Sequence, residues 1–98
     1  MFTFAESEEI RRQSMGLSEH LFEWFCRHRA GGEDVQVRDE DGKVVSARLV
    51  TTHLGVDDAS LRIVLLADGS FGHECEMPDG QSTLLWVAES LTDAIEGL

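Results

Sequence analysis

Lysine is almost absent from this chain. Lys43 is the single lysine among 98 residues, and beyond Arg62 there is neither Lys nor Arg. The same stretch holds seven acids: Asp68, Glu74, Glu76, Asp79, Glu89, Asp93 and Glu96. Nonspecific binding to DNA, RNA or an anionic membrane needs Lys and Arg to displace counterions. A formal net charge of -11 therefore argues against direct nucleic-acid or membrane binding. Cysteine is also scarce. Cys26 and Cys75 are the only two, they do not form a CxxC pair, and two cysteines cannot build a disulfide framework. No apolar run reaches membrane-spanning length, and the opening residues lack the basic-then-apolar order of a secretory signal. The expected location is cytoplasmic. No phosphate-cradling loop, G-x-S-x-G serine or H-E-x-x-H metal motif is present, so no enzymatic activity is expected.

Against these absences stands an ordinary apolar content of 42%, enough for one modest core, and a single α+β domain over 1–98 is expected. Residues 5–30 read as helix. Glu6, Glu8 and Glu9 crowd its start and Arg27, His28 and Arg29 its end, as the helix dipole favours. Gly16 bends or splits it, Ser18 is a candidate cap for a second helix, and Gly31-Gly32 is a stop signal. Ile10, Leu17, Leu21, Trp24 and Phe25 form one apolar stripe at helical spacing. Met15, Phe22 and Cys26 fall on a different flank. That flank is either covered by the domain itself or serves as a self-association seam of a homodimer.

After the glycines the period changes to two. Val35 and Val37, then Val45, Ala47 and Leu49, mark strands joined at Asp41-Gly42. Leu61 to Ala67 is apolar on both faces except at Arg62, which suits an interior strand. Asp68-Gly69 and Pro78-Asp79-Gly80 are further hairpin turns. Residues 82–88 fit either a strand or the start of a helix; a fifth strand is preferred, followed by a short helix from about Leu91 behind a Ser90–Asp93 capping box. The expected architecture is an N-terminal helix bent at Gly16, a four- or five-stranded antiparallel meander and a short C-terminal helix.

In such a meander alternate turns gather at opposite ends. Asp39, Glu40 and Asp41 then share one end with Asp68, and Asp57 and Asp58 share the other with Asp79. Glu74 and Glu76 are expected to project from the face between them. Turns favour Asp for local hydrogen-bonding reasons, so part of this charge is a by-product of the fold. The missing bases are not explained that way, since solvated faces usually mix both signs.

Metal and cofactor readings are weaker. Aligning Gly42 with the obligatory glycine of an EF-hand loop puts Val37 at the first ligand position and Arg48 at the last, and the match fails. His73 and Cys75 share a strand face, with His53 a possible neighbour, but Phe71 and Met77 occupy that face too. An edge-of-core histidine is the better reading. Trp24 and Trp86 belong to apolar segments and read as core. No cofactor or metal is expected.

These observations favour a non-enzymatic acidic protein–protein interaction module. Its expected partner is a basic protein surface, including that of a nucleic-acid-binding protein. The expected contact residues are Glu74, Glu76, Asp79, Asp68, Asp57 and Asp58. One subclass is an inhibitor that mimics nucleic acid, with carboxylates in place of phosphates, as in anti-restriction and anti-CRISPR proteins; those share only length, charge and element order with this chain. The alternatives are a small homodimeric structural or chaperone-like protein, assembled through Met15, Phe22 and Cys26, and a ligand-binding subunit with a pocket between helix and sheet. For the last, the polar groups would be His28, His53, His73 and Cys75.

Overall fold

The computed structural model describes residues 1–39, 41–54, 60–76 and 82–97, with backbone alone at 53, 54, 60, 76 and 82–86. In chain order its elements are α1 (Phe4–Ser14), α2 (Glu19–His28), β1 (Asp34–Arg38), β2 (Val44–Leu54), β3 (Ser60–Leu66), β4 (Phe71–Glu76), β5 (Ser82–Ala88) and α3 (Leu91–Glu96). The fold is α+β, with N-terminal helices, a five-stranded antiparallel meander and a short C-terminal helix. Among the described residues no helix is long and apolar enough to cross a membrane.

Local chemistry sets the helix boundaries. Thr3 Oγ1 accepts from the Glu6 N–H at 3.1 Å, and Glu6 Oε1 accepts from the Thr3 N–H at 3.0 Å, forming a capping box. The chain turns through Met15 and Gly16, and the Ser18 hydroxyl then caps α2 by accepting from Leu21 N–H at 3.4 Å. The helical segment is therefore split at Gly16. It also ends earlier than the sequence suggests, at His28 rather than Ala30. The sheet claims the last two residues: Arg29 is extended and bridges Thr51, while Ala30 N–H donates to Val50 O at 2.7 Å. Gly32 then adopts φ 79°, and a Cβ there would meet Phe2 atoms at 2.7–2.8 Å.

The strand order is β1-β2-β3-β4-β5, so β3 is central, as its two apolar faces require. Irregularities between Leu49 and Thr51 and between His73 and Glu74 bend the ladder. The sheet curls far enough to bring the outer strands β1 and β5 close together. One face carries Val50, Ile63, Phe71 and Ala88 against Phe2, Ile10, Phe25, Leu91, Ala94 and Ile95 of the N-terminal segment and helices. Each large buried apolar side chain there contributes about 1.5–3 kcal/mol relative to exposure. The apolar stripe of the first two helices faces this core, with Leu17, Leu21 and Trp24 partly buried at its margin. The curled opposite face buries a second, smaller cluster of Val37, Ala47 and Val64.

α3 is held by polar contacts as well as by Leu91, Ala94 and Ile95. Ser90 Oγ accepts from Asp93 N–H at 3.2 Å, as a capping residue does. Gln13 Oε1 accepts from Leu91 N–H at 2.8 Å, and the Thr92 hydroxyl donates to Gln13 O, so the end of α1 grips the start of α3. Residues 82–88 are strand and residues 91–96 helix, which resolves the ambiguous tail.

Candidate acidic cleft

Two hairpin turns are built around aspartates. In the β1–β2 turn, Asp39 Oδ1 accepts from the N–H groups of Asp41 at 3.0 Å and Lys43 at 2.9 Å, and Gly42 takes φ 77°. In the β3–β4 turn, Asp68 Oδ1 accepts from Ser70 N–H at 2.9 Å and from the Ser70 hydroxyl, and Gly69 takes φ 88°. The Ser70 hydroxyl, and then its N–H, hold the Asp68 carboxyl below the usual carboxylate range, so its charge survives mild acid.

Alternate turns of the meander lie at one end, and these two flank an open cleft of about 420 Å³. Its walls include Asp39, Asp41 and Asp68; its apolar lining includes Val45, Leu66 and Val87. Val87 is 47% exposed, so part of that lining is open to water. Among the described residues, the turn bonds of Asp39 and Asp68 are accepted by Oδ1 of each. Arg38 and Lys43 belong to the same hairpin, and Arg38 Nη1 donates to Gly42 O at 3.2 Å. Among the described residues neither of them forms an ion pair with the three carboxylates of the cleft.

The expected binding residues fare differently. Asp68 lines the cleft together with Asp39 and Asp41, the grouping that turn parity predicts. Asp57, Asp58 and Asp79, with Glu40, lie outside the described residues, as does the side chain of Glu76. Glu74 is a correction. Its side chain is fully buried, and Glu74 Oε1 accepts from Arg62 Nε at 2.9 Å and from Nη2 at 2.5 Å. The sequence count stops at Arg62, but the β3–β4 register sets Arg62 directly opposite Glu74. Both side chains are largely enclosed, so Glu74 cannot belong to a solvent-facing acidic array.

Met15, Phe22 and Cys26 are all exposed, the first at 79% and the second at 44%. Among the described residues the histidines do not converge. His73 is buried and its Nε2–H donates to Ala94 O, tying β4 to α3. His28 stacks on Trp24 at 4.6 Å and donates from Nδ1 to Trp24 O at 2.8 Å. The side chains of His53 and Trp86 lie outside the described residues. Among the described residues no group of three or more His, Cys, Asp or Glu is placed to hold a metal ion.

Sequence reasoning found the acids of the cleft but missed its apolar lining. The signal was present in Val45 and Leu66, which precede or follow the two Asp-Gly turns with strand periodicity. What it lacked was Val87, brought in from β5 by the curl. No protein-family model, curated protein or solved structure matches this chain.

Proposed function

We propose that this protein is a non-enzymatic binding module whose acidic cleft receives a basic side chain from another protein. The observation that carries the reading is the combination of Asp39, Asp41 and Asp68 around Val45, Leu66 and Val87. That arrangement suits an Arg or Lys, whose stem is apolar and whose head is charged.

Magnitudes assign the roles. An exposed ion pair is worth only about 0–1 kcal/mol. Covering the three-methylene stem of an arginine contributes about 0.8 kcal/mol per methylene. The lining therefore supplies much of the affinity, while the carboxylates and the overall charge of -11 accelerate encounter and reject acidic partners. An inhibitor that occupies the phosphate-binding site of a nucleic-acid-binding protein fits the same chemistry. In that case the cleft-end aspartates act in place of phosphates, and Glu74 does not.

Isothermal titration with an arginine-containing peptide tests this reading. Heat of binding is expected at low salt, weakened at high salt, and strongly reduced in an Asp41→Lys variant whose thermal transition is little changed. Binding that survives the charge reversal, or that ignores salt, would remove the proposal.

A further inference from the structure

We infer that the exposed face of α2 pairs with the same face of a second copy of this chain, in an antiparallel, two-fold arrangement. Phe22 and Cys26 lie one turn apart on α2 and both are exposed, on a flank beside the one that carries buried Phe25; exposed Met15 precedes them at the corner from α1.

Charge identifies the occupant. In α1 the acids and bases satisfy each other, Glu8 with Arg11 at 2.9 Å and Glu9 with Arg12 at 2.5 Å. In α2 they are segregated, with Glu19 in the first turn and Arg27 in the last. Among the described residues neither of these, nor Glu23 or Arg29, forms an ion pair within the chain. An antiparallel second copy sets the acidic start of one α2 beside the basic end of the other, with the two Phe22–Cys26 pairs between them. The contact is isologous, so each favourable pairing occurs twice. The local balance matters as well. Glu19 and Glu23 are offset by Arg27 and Arg29, so this segment is neutral within a chain of formal charge -11, and two copies can meet here with little repulsion.

The test is a charge swap followed by analytical ultracentrifugation. Wild-type protein is expected to show a concentration-dependent dimer. Glu19→Arg alone and Arg27→Glu alone should each be monomeric, because each sets like charges against each other at both ends. An equimolar mixture of the two variants should recover the dimer mass, since a net basic face then meets a net acidic one. Phe22→Glu should also be monomeric, with an unchanged circular-dichroism melt. A wild-type protein that stays monomeric at every concentration leaves this face to a different partner and overturns the inference. So does a mixture that fails to associate, or a dimer indifferent to Phe22→Glu.

Discussion

Arg62 stands opposite Glu74 across the β3–β4 ladder, and its Nε and Nη2 both donate to one oxygen of a carboxylate that is fully buried. Bringing two charges out of water costs several kcal/mol, which their attraction and hydrogen bonds must offset. Removing either partner alone leaves the other charged and enclosed. Arg62→Leu is therefore expected to destabilise the protein by about 3–5 kcal/mol in urea unfolding. The double variant Arg62→Leu, Glu74→Leu should recover much of that loss. A single variant no worse than a typical surface change would show that the pair is not enclosed.

Acid should weaken the fold where it finally protonates exposed carboxylates whose charge the fold supports. Glu9 is held down to about 2, chiefly by its hydrogen bond from Arg12 and then by Gln13, and Asp68 is held low by Ser70. A lowered folded-state value means the stabilisation is complete above the ordinary 4.5 for Glu9 and fades as pH falls toward about 2. Thermal melts should show a smaller acid-side decline in Glu9→Gln. NMR titration of the Glu9 carboxyl should move back toward 4.5 in Arg12→Ala. A Glu9 midpoint that ignores Arg12 would contradict this origin.

The grip on α3 is also open to measurement. Gln13→Ala leaves the Leu91 N–H without its side-chain acceptor, and His73→Phe leaves the Ala94 carbonyl without its donor. Each is expected to cost about 1–3 kcal/mol, the range for a buried polar group stripped of its partner. Hydrogen exchange should accelerate in α3 before the central strand β3. Uniform acceleration throughout the chain would mean that α3 does not open separately.

Two glycines with nearly the same backbone angle should respond differently to alanine. At Gly42, φ is 77° and none of the described residues lies within 4 Å of a new Cβ, so only conformational strain of about 1 kcal/mol is expected. At Gly32, φ is 79° and the Cβ would strike the Phe2 backbone and ring, so the loss should be clearly larger. Equal losses in chemical denaturation would argue against the packing of Phe2 on Gly32.

Periodicity made most of the fold legible. The alternation of Val35 to Leu49, the two-faced apolar run at Leu61–Ala67 and the Asp-Gly turns specify a meander, because each is a short-range signal. The capping box of Thr3 and Glu6 was equally available in the spacing, although the expected helix start was placed later, at Ala5. What local pattern could not supply was anything set across the sheet. The pairing of Arg62 with Glu74 depends on register, and the burial of Glu74 depends on what packs over that face of the sheet, neither of which a local pattern carries. The curl that brings β1 near β5 adds Val87 to the cleft. A count of charges along the chain misjudges Glu74 because it holds neither register nor burial, while turn parity places Asp39, Asp41 and Asp68 together.

The central claim is that a basic side chain binds in the cleft between the β1–β2 and β3–β4 turns. It is tested most directly by following backbone amide signals in NMR while an arginine-containing peptide is added. The account predicts shifts concentrated at Asp39, Asp41, Val45, Leu66, Asp68 and Val87, and absent from Phe22 and Cys26. Shifts centred on α2, or no saturable shift at the cleft residues, would contradict it.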